Sequence, residues 1–264
     1  MSVFRRYISS LYLKGNHVGR NIDLRESDVF LVSYPSSGGT WLRFLLANML
    51  TDNVTSSKVD RVVPSIYTSD HYLLESIKNK RYLYSNEYFD PRYYHVLYLV
   101  RDPRCVVLSD YAESIKAGLI DKNQTLHDFV KDFVSGKVNL FGTWGEHVES
   151  WCHLKKSLQK DFLLIRYEDL VDDFKHVLSK MLAFFNVNYN NELIEHAKKH
   201  SLFRGSSNRI QKKDCFNIKY PIGKDNPSCM GECWQLRLSE EDVRIIEQCF
   251  GDTMQKVGYA LKFP

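Results

Sequence analysis

The chain has 264 residues, of which 44% are apolar and 26% charged, and its formal net charge is +4. These proportions are ordinary for a globular protein that buries a core. The modest charge does not predict binding to nucleic acid, but it suits a site that attracts a small polyanion such as a nucleotide. No apolar run reaches membrane-spanning length and the N-terminus lacks the apolar core of a signal peptide, so we expect a cytoplasmic protein with no membrane partner.

Six scattered cysteines are predicted to be free thiols, because no secretory signal accompanies them. Cys229 and Cys233, with Cys215 nearby, have the residue type of zinc ligands. Their spacing is not that of a zinc ribbon and a fourth ligand is missing, so we expect no metal.

The N-terminal part begins with a mixed, basic segment at 1–27, which we expect to lead in to the fold and to cover the mouth of the active site. A strand is predicted at 28–34 and a helix at 40–51. Residues 52–80 are predicted to be rich in loops, with a short helix near 72–78. The other predicted elements are strands at 82–85, 95–100 and 162–166, helices at 103–116, 125–135 and 141–155, a helix ending near 185, and helices near 191–200 and 240–251.

Strands that alternate with helices predict one α/β domain over 1–264, with an ordered core at 28–251 and a parallel sheet covered on both faces. Right-handed crossovers place the carboxyl ends of all strands along one edge of such a sheet. The loops at 35–40, 84–87, 101–104 and 167–170 each follow a predicted strand. Ligands bind at this edge in open α/β sheets, so we expect the site there.

The loop at residues 34–41, YPSSGGTW, is here named the small-residue loop. It joins a buried strand to a helix, and the free N–H groups at a helix N-terminus favour an anion such as phosphate. The glycines allow close approach of the backbone. The lysine of the P-loop NTPase motif is absent, and an ordinary strand-to-helix turn is equally compatible with this stretch alone.

The pattern Tyr-Pro-x-Ser-Gly-x-Thr-Trp closely resembles the 5′-phosphosulfate loop of sulfotransferases that use 3′-phosphoadenosine 5′-phosphosulfate (PAPS). The following Trp-Leu-Arg-Phe-Leu-Leu-Ala is most similar to the compact bacterial members that tailor metabolites. The resemblance implies a P-loop-like nucleotide-binding fold. It also implies that the 5′ end is bound by Ser36, Ser37, Gly38, Gly39, Thr40 and Trp41.

A second stretch, YLVRDPRCVVLSDY, resembles the 3′-phosphate-binding segment of the same family. Its carriers are Arg101 and Ser109, eight residues apart, and a guanidinium with a hydroxyl suits bidentate binding of a phosphate. The alternative is that Arg101 pairs with Asp102 and Ser109 is a surface residue. Two separate motifs in the right order are more specific than either alone.

Further segments extend the resemblance to roughly residues 28–245. It implies that Tyr167 packs beside the adenine and that the acid after it helps to hold the structure, that Ser201 and Phe203 approach the adenine, and that Lys224 and Gly231 belong to the C-terminal binding region. Ordinary packing is the alternative for Tyr167 and Phe203. Other cations for the 3′-phosphate are Arg209, Lys212 and Lys213.

The chain departs from the family at the groups that perform the transfer. Family members normally supply a lysine in the loop and then Lys-[Thr/Ser]-His, whose histidine is the base, whereas this chain has Ser36, Tyr84 and Asn86 at those positions. An asparagine can orient a nucleophile but cannot take its proton. Beside Asn86 as the orienting group, the candidates for the base are Glu87, His71 and His147, and those for the missing cation are Arg43, Arg101 and Lys224.

The resemblance implies an enzyme that transfers a sulfuryl group from PAPS to a hydroxyl or nitrogen of a small-molecule acceptor and releases adenosine 3′,5′-bisphosphate (PAP). A role in natural-product biosynthesis is expected, since similar members modify glycopeptides and saxitoxin-type toxins. A nucleotide-binding protein without transfer is the alternative. An NTPase or kinase is disfavoured by the missing P-loop lysine. We expect no nucleic-acid partner and leave a homodimer open.

Overall fold

The computed structural model describes residues 23–51, 54, 56–67, 71–121, 123–154, 161–187, 192–195, 197 and 234–263. Its centre is a parallel sheet of four strands in the order β2-β1-β3-β4. The strands are β1 (Val29–Ser33), β2 (Tyr82–Ser85), β3 (His95–Val100) and β4 (Asp161–Arg166). The predicted α/β class and all four predicted strands are thus confirmed, with bounds that differ by one residue at three of the eight ends.

The register aligns the carboxyl ends of the strands. Val32 lies opposite Ser85 in β2 and Tyr98 in β3, and Val100 lies opposite Arg166 in β4. Because all strands run in parallel, the loops after them begin at one edge of the sheet. The small-residue loop is therefore a neighbour of the segments that follow β2, β3 and β4, as the sequence predicts.

Helices connect and follow these strands. Two short helices lie within 52–80, a region predicted to be rich in loops, and the second of them overlaps the predicted helix near 72–78. Of the helix predicted near 191–200, residues 192–195 and 197 are described and are helical. The helices are α1 (Gly39–Leu50), α2 (Ser56–Val62), α3 (His71–Ser76), α4 (Pro103–Ala117), α5 (Leu126–Val134), α6 (Trp144–Leu154), α7 (Tyr167–Asp172), α8 (Phe174–Phe185), α9 (Trp234–Arg237) and α10 (Glu240–Lys256).

Local capping groups explain several helix bounds. The Asp102 side chain accepts a hydrogen bond from the first turn of α4, which has Pro103 at its start and ends at Gly118 with φ +67°. The Thr125 side chain caps α5. Ser239 and Asp242 form a reciprocal capping box at the start of α10, which confirms the predicted N-terminus there.

The two faces of the sheet bury separate apolar clusters. On one face, Phe30, Val32, Val96 and Tyr98 pack with residues of α4, α5, α6 and α10. On the other face, Val29, Leu31, Leu97 and Leu99 pack with residues of α1 and α8. Successive strand residues point to opposite faces, so a strand buried on both sides needs a continuous apolar run. That requirement explains the apolar stretches in β1 and β3.

A buried ion pair joins the starts of the first two strands. Arg81 Nε donates to Asp28 Oδ1 at 2.7 Å, and both side chains are fully buried. Such a pair leaves an uncompensated buried charge if one partner is removed. Within the described part of the chain, no helix is both long and apolar enough to cross a membrane.

Candidate active site

The small-residue loop places a helix N-terminus at the edge of the sheet where the carboxyl ends of the strands lie. Ser36 has φ +59° and Gly38 has φ +95°, so the chain turns sharply before α1. Gly38 is the residue that precedes the helix and it has no side chain to cap it. Because the first N–H groups of a helix lack intrahelical partners, those of Gly39, Thr40 and Trp41 are available to an anion.

Two tyrosine rings lie against the glycines of this loop. A Cβ atom on Gly38 would lie 2.6 Å from Cε2 of Tyr167, and one on Gly39 would lie 2.3 Å from the Tyr84 hydroxyl. Both distances are far shorter than a van der Waals contact, so neither position accepts a side chain. Glycine is therefore required here for close approach to the rings as well as for the positive φ of Gly38.

The Ser37 hydroxyl is a buried polar group with no hydrogen-bond partner in the described part of the chain. Ser37 is 1% exposed, and its Oγ has no hydrogen bond within the described residues. Buried hydroxyls are nearly always hydrogen-bonded in native proteins, so an exception in a loop with available N–H groups fits a bound anionic ligand. The loop thus meets the chemical requirement of a phosphate or phosphosulfate group.

Arg101 and Ser109 lie together beside the loop. Arg101 Nη1 donates to Ser109 Oγ and to the Ser36 carbonyl oxygen, each at 3.1 Å. The Arg101 guanidinium also lies over the Tyr167 ring, 4.4 Å from its centroid. The structure therefore brings together four of the residues that the sequence assigns to nucleotide binding, Ser36, Arg101, Ser109 and Tyr167. Their role in binding stays a prediction.

The acid after Tyr167 holds the turn that carries Arg101. Glu168 Oε1 accepts a hydrogen bond from the N–H of Asp102 at 3.1 Å, and its Oε2 accepts one from the Tyr259 hydroxyl at 2.7 Å. Arg104 binds both oxygens of Asp102, so Asp102 is engaged by Arg104 rather than by Arg101. Burial raises the pKa of Glu168. These contacts agree with the expectation that this acid helps to hold the structure.

Asn86 is held by the chain's own groups. Its Nδ2 donates to the Ser33 carbonyl oxygen at 2.6 Å and to the Tyr84 hydroxyl at 2.9 Å. Its backbone N–H donates to the Tyr67 hydroxyl at 2.8 Å. Asn86 therefore orients the end of β2 and the ring of Tyr84 at the edge of the site, which agrees with an orienting role and not with proton transfer.

His147 lies in the core behind Asn86, and its ring packs edge-on against Tyr34 at the start of the small-residue loop, with 5.5 Å between the ring centroids. It is fully buried, and its Nε2 donates to the Asn86 carbonyl oxygen at 2.9 Å. Since a carbonyl oxygen only accepts, Nδ1 is the nitrogen that accepts from the Tyr98 hydroxyl at 2.8 Å. Burial lowers the pKa of His147 to about 4. Both ring nitrogens thus have partners within the protein, and through Nε2 the ring positions Asn86; the role of His147 as the base stays a prediction.

Glu87 stays a candidate for the base. Its backbone N–H donates to Ser85 Oγ at 3.0 Å, and its carbonyl oxygen accepts from the Trp151 indole at 3.0 Å. Burial, and after it the negative charge of Glu87, raises the pKa of Tyr67. The other candidate, His71, is the first residue of α3; its side chain lies outside what the structure describes.

Arg43 contacts Asp60, the Val63 carbonyl oxygen and the ring of Tyr84. Its guanidinium forms an ion pair with Asp60, and its Nε donates to the Val63 carbonyl oxygen at 3.0 Å. It lies 5.3 Å from the centroid of the Tyr84 ring. Arg43 therefore contacts the candidate site through the ring of Tyr84, and its role as a cation near the phosphosulfate stays a prediction.

An acidic pair on α4 is part of the site and was not anticipated. Ser36 Oγ lies 3.3 Å from Asp110 Oδ1 and 3.1 Å from Glu113 Oε2. Asp110 is 8% exposed, and burial together with the charge of Glu113 raises its pKa to about 6. Both acids follow Ser109 on the same helix, one and four residues later. Their spacing from Ser109 is the feature of the sequence that could have predicted their position.

The remaining sequence predictions lie outside the described residues. Their roles stay predictions, and so does the zinc alternative at Cys215, Cys229 and Cys233. Within the ranges that the structure does describe, no group of three or more His, Cys, Asp and Glu side chains could hold a metal ion. The site residues concerned are Ser201, Phe203, Arg209, Lys212, Lys213, Lys224 and Gly231.

Solved structures share this fold. Mouse sulfotransferase SULT7A1 complexed with PAP matches with a TM-score of 0.65 and 22% identity, covering 90% of this chain and 87% of that one. Retinol dehydratase in a complex with retinol and PAP matches with a TM-score of 0.65 and 19% identity, covering 97% and 88%. At these identities the likeness shows the fold alone.

Sequence comparison identifies the family. A 3-beta-hydroxysteroid sulfotransferase of Cavia porcellus and sulfotransferase 2B1 of Homo sapiens are each 28% identical over 194 residues, or 69% of this chain. The matched part spans 66% and 52% of the length of these relatives, which is less than two thirds. A family model described as a sulfotransferase domain matches residues 26–258. Because that match covers most of the sequence, the chain belongs to the sulfotransferase domain family.

Proposed function

We propose that this chain is a sulfotransferase that moves a sulfuryl group from PAPS to a hydroxyl or nitrogen of a small-molecule acceptor and releases PAP. The observation that carries the proposal is the convergence of two anion-binding arrangements at one edge of the sheet. The uncapped start of α1, with the buried Ser37 hydroxyl, lies next to the Arg101–Ser109 pair. Family membership supports the same conclusion.

The residues present fit the doubly phosphorylated nucleotide. The N–H groups of α1 and the Ser37 hydroxyl suit its 5′ group, because both donate hydrogen bonds and neither carries a negative charge that would repel an anion. Arg101 and Ser109 suit its 3′-phosphate, because a guanidinium binds phosphate by a two-pronged contact. That Tyr167, whose ring lies under the Arg101 guanidinium, packs beside the adenine is proposed from the resemblance.

The nucleotide supplies the activated sulfuryl group. The acceptor atom forms a bond to sulfur, the bond from sulfur to the phosphate oxygen breaks, and PAP leaves with the electron pair. The acceptor's proton must go to a base, and the candidates are the carboxylates of Glu87 and Asp110 and the imidazole of His71. A base works best when its pKa is near the working pH, and the pKa of Asp110, about 6, meets that condition.

The biological setting is proposed from resemblance alone. The loop and the start of α1 are most similar to bacterial members that tailor metabolites, so we propose a role in natural-product biosynthesis. The cytoplasmic location and the homodimer stay predictions from the sequence.

A second function has its own support. Ser36, Tyr84 and Asn86 stand where the family has lysine, lysine and histidine, and two carboxylates lie beside Ser36. These replacements favour a protein that binds PAPS or PAP without transferring the sulfuryl group. The nucleotide site is common to both proposals, whereas turnover separates them.

Calorimetric titration with PAP in magnesium-free buffer tests the shared nucleotide site. We expect binding by the full chain, and a loss of at least about tenfold in Arg101→Ala, because a charged hydrogen-bond partner is removed. The control is Arg92→Ala, which removes a half-exposed guanidinium that pairs with Asp90. If the wild-type chain does not bind PAP, both proposed functions fail.

Turnover is measured with PAPS labelled in the sulfuryl group and a panel of phenols, alcohols, amines and guanidines. Labelled product from any acceptor supports the sulfotransferase. Tight PAP binding with no labelled product from the whole panel supports the protein without transfer.

A further inference from the structure

We propose that Tyr84 is a binding residue for the 5′ group of the nucleotide, where its hydroxyl donates a hydrogen bond to an anionic oxygen at the start of α1. A neutral phenol would then stand in for the ammonium that family members place at this position. The inference rests on the proposed nucleotide site and adds the residue that compensates for its missing lysine.

The position of the Tyr84 hydroxyl is the first argument. It lies 3.2 Å from Ser33 Oγ and so close to Gly39 that a Cβ atom there would approach it to 2.3 Å. Gly39 is the first residue of α1, and its N–H is among those left without an intrahelical partner. The phenol oxygen therefore lies beside the first residue of α1, where unpaired amides begin.

A count of hydroxyl protons is the second argument. Among the described residues, the partners of the Tyr84 hydroxyl are Asn86, whose Nδ2 donates to it, and Ser33. Tyr84 and Ser33 have two hydroxyl protons, and the single hydrogen bond between them uses one. If Ser33 donates to Tyr84, the proton of Tyr84 remains for a ligand. An anionic oxygen at the start of α1 would select this arrangement, because it needs a donor.

The charges around the phenol are the third argument. The Arg43 guanidinium over its ring favours the negative charge that a phenol oxygen gains when it donates a hydrogen bond. Burial, the largest cause, raises the pKa of Tyr84, whereas Arg43 lowers it and Glu113 raises it. The phenol therefore keeps its proton at neutral pH and acts as a donor.

The other end of the loop is unsuited to the anion. Ser36, at the family's loop-lysine position, shares its hydroxyl with the carboxylates of Asp110 and Glu113. Negative charge there repels a phosphosulfate group and favours its placement near Gly39 and Tyr84. We therefore expect the anionic group of the ligand to be bound at the Gly39 end of the loop, beside Tyr84.

The test compares two nucleotides by calorimetric titration: PAP, and adenosine 3′-monophosphate, which lacks the 5′ group. For Tyr84→Phe we expect PAP binding to weaken by about tenfold, the usual effect of losing a hydrogen bond to a charged group. Binding of adenosine 3′-monophosphate should be unchanged, since its phosphate belongs with Arg101 and Ser109. The matched control is Tyr82→Phe, which removes a hydroxyl from the same strand and should leave both nucleotides unaffected.

The outcomes distinguish a failure of the proposed function from a failure of the role proposed for Tyr84. If the wild-type chain binds neither nucleotide, the proposed function fails. If the wild-type chain binds PAP and Tyr84→Phe binds it equally well, the inference is overturned and the proposed function stands. An equal loss of both nucleotides in Tyr84→Phe would also overturn it, because that result marks Tyr84 as a structural support of the whole site.

Discussion

The ionisation of Asp110 is predicted to lower the stability of the protein at neutral pH. The carboxyl is 8% exposed, its Oδ2 has no hydrogen-bond partner among the described residues, and Glu113 lies one helical turn away. Burial and the charge of Glu113 raise its pKa from 3.8 to about 6. At about 1.4 kcal/mol for each unit of pKa, this displacement corresponds to about 3 kcal/mol of folding free energy.

The sign of the effect follows from the direction of the change in pKa. Below pH 3.8 the carboxyl is protonated in both the folded and the unfolded chain, so it has no cost. As the pH rises toward 6, the unfolded chain ionises first and the free energy of unfolding falls. Above pH 6 both states are ionised and the full cost of about 3 kcal/mol is present.

Replacing Asp110 with asparagine removes this cost and keeps an oxygen that accepts from Ser36. Urea unfolding at several pH values between 4 and 8 measures this cost. The cost is the difference in the free energy of unfolding between Asp110→Asn and the wild type. That difference should rise in favour of the variant by up to about 3 kcal/mol between pH 4 and pH 7. Burial lowers the pKa of His147, so the protein also loses stability as the pH falls toward acid. This loss is the same in the variant and the wild type, and it therefore cancels in the difference.

Two further variants serve as comparisons. Glu113→Gln removes the second cause of the raised pKa and should shift the curve in the same direction by a smaller amount. Asp172→Asn changes an exposed carboxyl on α7 and should stay within about 0.5 kcal/mol of the wild type at every pH. A difference curve for Asp110→Asn that is flat with pH would refute the reasoning, because a group with equal pKa in both states adds no pH dependence.

Gly38→Ala should destabilise the protein by about 1–3 kcal/mol more than Gly118→Ala, as measured by urea unfolding. Both glycines have a positive φ, but the new methyl group meets the Tyr167 ring only at Gly38, since the space at Gly118 is open. Equal losses would contradict the packing argument. Glu168→Gln should lower the free energy of unfolding by about 1–3 kcal/mol, because one of its two donors, the Tyr259 hydroxyl or the N–H after β3, then faces an amide nitrogen. An unchanged unfolding midpoint would show that this contact does not hold the turn.

The fold was accessible from the sequence because its signals are local. The apolar runs of β1 and β3 are long enough for strands and are flanked by turn residues, and side-chain periodicity depends only on neighbouring positions. Capping residues such as Thr125 and Ser239 mark helix starts by contacts within one turn. The short helix α2 was missed because a seven-residue helix carries too weak a periodic signal.

Part of the site was accessible for a related reason. The carboxyl ends of parallel strands meet at one edge, so residues as distant in sequence as Ser36 and Arg101 could be placed together before their contact was seen. The pairing of Arg101 with Ser109 depends on a strand and the helix that follows it. That geometry is nearly constant in α/β proteins.

The amino-acid sequence by itself therefore determined the order of elements, the strand edge that holds the site and the family motifs, because each depends on local periodicity or on a fixed connection. Only the tertiary structure decided the environments of His147, Arg43, Asp110 and Tyr84. Burial, pKa and hydrogen-bond partners are set by side chains from elements far apart in the sequence. Tyr98 and Asn86 engage both ring nitrogens of His147, and Tyr84 packs against the loop because Gly39 leaves room for it.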